Sequence, residues 1–379
     1  MKKLLLSFAI IALILSGCSK DDCNCPEVEA DSELAGDISS NVTLDASIEY
    51  TLIGTLRVKD GGVLTIPAGT VIKSEKGFSK FIIVEQGGKI NVNGTADAPV
   101  TMTSAAASPD AGDWGGLIIN GKATISGTDL LQSATTEVDP TTTYGAYNGA
   151  TNDADNSGSI TYLILAYTGA KSSSSVEHNG LTLNAVGSGT KIENVYVPFT
   201  ADDGVEFFGG SVNVTNLLVV NSDDDMFDLT QGWKGELKNA YGIWETGFTS
   251  GESDPRGIES DGNWDGLTPD DLGQSNFKMT NITIENNSSY VMEDGIKVRR
   301  GATGTITNVL LKGGSAKNIV DMTDGKGDAN SASVVDYKVD GMTATSDVVN
   351  QSDPASTVTE NAANTGADAS VFGWTDYAF

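Results

Sequence analysis

The sequence predicts an all-β chain wound as a solenoid, and three observations predict it. Val, Ile, Thr, Gly and Asn are abundant and helix signals are few, which favours many short strands punctuated by turns. In the first third, Val58-Lys59-Asp60-Gly61-Gly62-Val63-Leu64-Thr65-Ile66 returns 26 residues later as Val84-Glu85-Gln86-Gly87-Gly88-Lys89-Ile90-Asn91-Val92. In the second half an apolar phrase is repeated around Asn194, Asn216, Asn239, Asn281 and Asn308, at spacings of 22, 23, 42 and 27 residues. A period of 22 to 27 residues suits one coil of short strands and turns, which buries its apolar side only when coils are stacked.

Each asparagine phrase is followed by a second one. These are Asp203-Gly204-Val205-Glu206-Phe207, Asp225-Met226-Phe227-Asp228-Leu229, Arg256-Gly257-Ile258-Glu259, Asp294-Gly295-Ile296-Lys297-Val298 and Asn318-Ile319-Val320-Asp321-Met322. Stacked coils lie about 4.8 Å apart, so equivalent residues form columns, and a column of asparagines can ladder its amides. On the asparagine column and the Asp202-Asp203-Gly204-Val205-Glu206 turn, the sequence resembles the right-handed parallel β-helices of the pectin-lyase-like superfamily, over roughly residues 50 to 345. The resemblance implies a right-handed parallel β-helix with projecting loops. A leucine-rich horseshoe would show a fixed leucine pattern that is missing here, and a β-sandwich has no use for column-matched asparagines.

The N-terminus reads as an address. Lys2 and Lys3 precede the apolar run Leu4 to Leu15, too short to span a bilayer and suited to a signal peptide covering residues 1–17. Leu15-Ser16-Gly17-Cys18 resembles the lipobox of bacterial lipoproteins, in which Cys18 is acylated and becomes the first mature residue. Ser19-Lys20-Asp21-Asp22 is similar to the acidic export signal of Bacteroidetes-type lipoproteins. The resemblance implies a lipid anchor in the outer membrane with the body facing outward. Residues 18–36 are acidic and lack apolar periodicity, as a flexible tether does, leaving 37–379 as the folded body. Cys23 and Cys25 fall in that tether. The body has no cysteine, which excludes a disulfide scaffold and a thiolate metal site.

A solenoid needs its ends covered. Residues 37–51 are expected to form the N-terminal cap, and Val371-Phe372-Gly373-Trp374 with Tyr377 and Phe379 an aromatic plug at the C-terminal end. Residues 127–159, 245–255 and 260–277 break the period and should project as loops, where specificity resides on a rigid scaffold.

The net charge is −28 and becomes −30 once residues 1–17 are removed. Such a surface repels nucleic acid and anionic lipid headgroups and favours divalent cations. By strand alternation Val205, Phe227 and Ile258 face the core, so Glu206, Asp228 and Glu259 point outward and stack, continuing to Lys297 and Asp321. The adjoining turns add Asp202, Asp203, Asp223, Asp224 and Asp225, with Arg256 between Asp225 and Asp294. Carboxylates this close raise one another's pKa unless compensated. Arg256 and Lys297 can compensate some, and a bound Ca2+ could compensate the rest through Asp203, Asp225, Glu206, Asp228 and Glu259. Solvated acidic turns on an acidic protein are the bland alternative.

His178, the single histidine, aligns one coil from Asp202, where it could be tuned as an acid or base. Asp113-Trp114-Gly115-Gly116-Leu117-Ile118 reads as the equivalent turn further up, which puts Trp114 on the same flank. Trp233, Trp244, Trp264, Tyr144 and Tyr147 are candidate sugar-stacking faces. Among these, Asp202, Asp224, His178, Arg256, Lys297, Trp244 and Trp264 form the expected ligand-binding set.

The family resemblance implies polysaccharide lyases and hydrolases as the enzymatic option, with Arg256, Lys297, Arg299 and Arg300 as available bases for a lyase. The Gly-His-Gly turn and Arg-Ile-Lys tripeptide of polygalacturonase-like members are absent, and so strong an acidic field repels polyuronates. The sequence therefore favours a non-catalytic surface lipoprotein presenting a Ca2+-assisted face to glycan or a surface protein, with no nucleic-acid partner. A calcium-dependent lyase or hydrolase and a passive adhesin or envelope scaffold stand as alternatives.

Overall fold

In the computed structural model, which describes residues 32–173, 176–350 and 354–379, the chain winds as a parallel β-helix with strands on three faces. The leader at 1–17, the lipidation site Cys18, Cys23, Cys25 and all but the last residues of the 18–36 tether lie outside the described residues.

Each coil makes three stretches of strand. In one coil, Lys191–Thr200 supplies the first two faces and Val205–Phe208 the third. The next coil repeats this with Asn213–Ser222 and Phe227–Thr230, paired parallel and in register: Ile192 on Val214, Val195 on Leu217, Val205 on Phe227. The predicted 26-residue repeat of the first third is likewise a pair of coils, with Val58 on Val84 and Leu64 on Ile90.

The corner between the first two faces explains the asparagines. Asn194, Asn216, Asn239, Asn281 and Asn308 all adopt φ between 53° and 60°. This left-handed conformation bends the strand sharply, and asparagine tolerates it better than most residues do. Their side chains then ladder: Asn216 Nδ2 donates to Asn194 Oδ1 (2.8 Å), Asn239 to Asn216 (2.9 Å) and Asn308 to Asn281 (2.7 Å). One residue type thus makes the bend and satisfies its own polar groups.

Inside the coils, alternate residues such as Val195, Val197, Val205 and Phe207 form one continuous apolar core. Trp114 and Trp233 belong to it, their indole N–H groups donating to the carbonyls of Ala166 (2.9 Å) and Val212 (3.2 Å). Trp114 therefore faces inward, not onto the acidic flank, although its turn has the expected register, with Leu117 on Leu181 and Ile118 on Thr182.

Both expected ends are built differently. Glu33–Ile38 is already a strand paired with Glu49–Val58, so residues 33–36 belong to the coils and residues 37–51 are coil rather than a separate cap. The C-terminal aromatics do not plug the last coil. From Asn364 the chain turns back and runs along the outside, over the asparagine corner and second face. Thr365 N–H donates to Asn308 Oδ1 (2.7 Å), Ala367 N–H to Thr283 Oγ1 (2.9 Å) and Asp368 N–H to Asn239 Oδ1 (2.7 Å). Phe372 is buried against Leu218, Val220, Tyr241 and Ile243, and Trp374 meets Tyr162 edge-on. The outward-facing apolar residues of that face need a cover, and the aromatic tail supplies it.

The first insert is more ordered than a projecting loop, whereas 245–255 carries no strand or helix. Ser133–Thr136 and Asp139–Gly145 form an antiparallel hairpin folded down on the third face, with Tyr144 buried among Ile125, Ala185 and Phe208. Gly127 and Leu272 exchange backbone hydrogen bonds of 3.1 and 2.8 Å, which ties the first and third inserts together.

Candidate functional site

The third face carries the acidic column, and parallel pairing fixes its order. Thr182 lies on Glu206, Glu206 on Asp228 and Asp228 on Glu259; Ile258 on Ile296 then brings Lys297 next, followed by Asp321. Their neighbours Val205, Phe227 and Ile258 are fully buried in the core, so the alternation turns this column outward.

A second column runs through the preceding turns. Asp225 N–H donates to Asp203 Oδ1 (2.9 Å) and Arg256 N–H to Asp225 Oδ1 (2.6 Å), while Asn318 Nδ2 donates to Asp294 Oδ1 (2.7 Å). Each aspartate thus fastens the next coil's turn, and the two columns lie side by side.

Charge compensation divides the column. At one end Glu259 is held by Arg256 and Arg299, Asp294 by Arg256 (3.0 Å) and Asp321 by Lys297 (2.5 Å). Arg256 also reaches Asp254 (2.9 Å). Arg256 and Lys297, expected to meet a ligand, are buried and saturated by carboxylates. At the other end Glu206 and Asp228 form no ion pair among the described residues. Glu206 accepts one hydrogen bond, from Asn179 Nδ2 (2.5 Å), and Asp228 Oδ1 is buried without a partner.

The electrostatics follow. Burial, then the charge of Asp228, holds the Glu206 carboxyl well above its ordinary range; burial, then Glu259, does the same to Asp228. Asp202, Asp203 and Asp225 are raised likewise, by burial first and neighbouring carboxylates second. Burial, with Glu259 and Asp254 nearby, pushes Asp224 up to about 7.

Three groups of carboxylates bring one oxygen each within 4.8 Å of one another: Asp202, Asp203 and Asp224; Asp203, Glu206 and Asp228; Asp225, Asp228 and Glu259. All five residues expected as metal ligands fall in these groups. An oxygen-only set suits a hard cation such as Ca2+. Asn179 adds an observation independent of the acids. It is 4% exposed, its amide nitrogen is on Glu206, and its Oδ1 is buried without a hydrogen-bond partner, a neutral oxygen of the kind Ca2+ sites use.

In front of Glu206, Asp228 and Glu259 lies a groove of about 220 Å3, also lined by Glu137, Phe208, Trp264, Arg299 and Arg300. Trp264 is half-buried and tilts against Phe208 with ring centroids 5.6 Å apart, so this tryptophan does border the acids. Trp244 does not: it is fully buried, donates to the Ser222 carbonyl (3.0 Å) and packs on Phe248 and Tyr290.

His178 also departs from expectation. Its register is as read, but its ring lies between Phe78 and Phe81 and Nε2 meets the Phe78 carbonyl at 3.0 Å. Burial lowers it to about 4, so it is neutral at physiological pH. It packs behind the turn and takes no part in the groove.

Two contributors escaped the sequence. Asn179 sits in the coil aligned before Asp203, and that alignment was the available signal. Glu137, raised by burial, comes from the hairpin of the first insert, outside the repeat, and nothing local announces it.

Fold and groove together define a parallel β-helix protein with a polar, carboxylate-lined cleft on one face. The chain belongs to the pectate-lyase-like beta helix domain family, whose model matches residues 36–377. No curated protein matches it. Among solved structures it is similar to the catalytic domain of GH87 alpha-1,3-glucanase in complex with nigerose and to a substituted form of that domain in the same complex. Each similarity is at 12% identity and a TM-score of 0.30, over 87% of this chain and 63% of the other. The chain thus spans less than two thirds of that domain.

Proposed function

We propose that this protein is a non-catalytic surface lipoprotein, anchored through Cys18 in the outer membrane with its body outward, whose acidic column takes Ca2+ and presents it to a glycan in the groove. One observation carries the reading: Glu206 and Asp228 stack in register and lack ion pairs, and Asn179, whose Nδ2 donates to Glu206, keeps an unpartnered buried Oδ1. Isolated buried carboxylates facing each other are expensive, and a divalent cation relieves both burial and repulsion. Trp264 beside them offers a ring face to a sugar, and Arg299 and Arg300 mark the far end of the groove.

Calorimetry tests this directly. Ca2+ added to protein stripped with chelator should bind stoichiometrically, and Glu206→Gln or Asp228→Asn should abolish the heat. A glycan panel titrated with and without Ca2+ then identifies the ligand, and equal binding in both conditions would remove the cation from the reading. Absence of any Ca2+ heat would overturn it.

A second reading, a calcium-dependent polysaccharide lyase or hydrolase, draws on Asp224. A carboxyl raised to about 7 is protonated over part of the physiological range and suits a general acid. Release of reducing or unsaturated ends from acidic or neutral polysaccharides, abolished by Asp224→Asn with Ca2+ binding retained, would decide for it.

A further inference from the structure

A second cleft lies on the other side of the acidic turns, at the far end of the second face. It has a volume of about 610 Å3 and is lined by Pro109–Ala111 on one side, Gly247–Thr249 on the other, and Tyr167, Phe199, Asn221 and Asp223 between them. The register makes three of these a column: Phe199 precedes Thr200, which pairs with Ser222, so Asn221 is its equivalent one coil on. Tyr167, Phe199 and Asn221 have φ of 61°, 61° and 56°.

Asparagine is at home in that left-handed conformation, as the corner ladder shows. A bulky aromatic residue is not, and here the sequence places two in consecutive coils. Strain of this kind persists where the side chain serves a purpose that a better-adapted residue would not. The two rings are parallel to within 10°, with centroids 5.2 Å apart, and both are half-buried at the cleft. Their stack ends at Asn221, whose amide is fixed by Glu245 (Nδ2 to Oε2, 2.7 Å), so an amide rather than a third ring follows Phe199 one coil on. Phe248, from the insert at 245–255, also lines the cleft while its ring packs on Trp244.

We propose that this cleft is a binding site for neutral glycan, seating a pyranose ring against the Tyr167–Phe199 stack. Aromatic faces take the apolar C–H side of a sugar. Asp110 and Asp223, the charged residues of the lining, can accept hydrogen bonds from its hydroxyls. No lysine, arginine or histidine lines the cleft among the described residues, which disfavours uronic or sulfated sugars. The volume falls within the range of small-ligand sites. The site is separate from the acidic column and does not need its cation.

The test uses the purified protein in chelator, titrated calorimetrically with cellohexaose, laminarihexaose, mannohexaose and maltohexaose, with tetragalacturonate as the anionic control. At least one neutral oligosaccharide should bind and tetragalacturonate should not. Phe199→Asn, which installs the residue of the next coil, should weaken that binding at least tenfold while raising Tm. Phe248→Ala should weaken it too. The proposal is overturned if none of the four binds, if Phe199→Asn leaves affinity unchanged, or if it lowers Tm, because the ring would then be structural packing. Chelator separates this outcome from the calcium reading, since neutral-sugar binding survives in it.

Discussion

Glu206 and Asp228 make the strongest demand on solution behaviour, because their repulsion must appear in stability before any ligand is known. A ligand that binds only the folded state stabilises it by about 2.7 kcal/mol at one hundred times its Kd. Extracellular Ca2+ sites have Kd values of about 0.1 to 1 mM, so 10 mM Ca2+ reaches that ratio at the tighter end. Unfolding entropy of about 2.1 cal/mol/K per residue gives the 348-residue body, Ser32–Phe379, roughly 0.7 kcal/mol per kelvin. One such site should therefore raise Tm by about 4 °C. Differential scanning calorimetry at pH 7, in chelator and then in 10 mM Ca2+, reads it, with 10 mM Mg2+ as the control that should do less because it resists dehydration. Glu206→Gln removes one repelling charge, so it should raise Tm in chelator and abolish the Ca2+ increment. A shift below 1 °C with Ca2+, or an undiminished shift in Glu206→Gln, would refute the reasoning.

The same carboxyls set a pH dependence. Asp202, Asp203, Asp224, Asp225, Glu206 and Asp228 hold protons more tightly folded than unfolded. The stability this confers is complete below the unfolded pKa of about 4 and is lost as pH rises toward the raised values, Asp224 through about 7. His178, lowered to about 4, acts oppositely between pH 6.5 and 4, but as one group against six. In chelator, Tm at pH 5 should exceed Tm at pH 7, and Ca2+ should flatten the difference. At the corner ladder, Asn216→Ala loses bonds to Asn194 and Asn239 and forces a left-handed alanine, costing about 1–2 kcal/mol, whereas Asn216→Gly should cost less; thermal melts of both check the order. For the C-terminal strap, Phe372→Ala empties a fully buried site and should cost about 3 kcal/mol or more, with faster chymotryptic cleavage at Trp374 as the local readout.

The repeat was legible because a solenoid writes its geometry into the chain. Each coil must bury the same side and turn at the same corners, so Val205, Phe227 and Ile258 recur in phase, and Asn194, Asn216 and Asn239 recur wherever the strand bends left-handed. That periodicity alone is enough to align Glu206, Asp228 and Glu259. It could not tell which of them is neutralised, because this depends on how far Arg256 and Arg299 reach across coils. It also misdirected the aromatic residues. Trp114, Trp244 and His178 lie near turns in sequence, yet whether a ring at a turn points inward is decided by what fills the coil behind it.

Elements outside the repeat were least readable. Glu137 reaches the groove from a folded-back hairpin, and the C-terminal aromatics cover a flank because Leu218, Val220 and Ile243 leave that flank apolar. By itself the sequence determined the stacking, through local periodicity that every coil must obey. The tertiary structure alone decided which charges stand uncompensated and which rings are covered, because both depend on contacts between residues that no period relates.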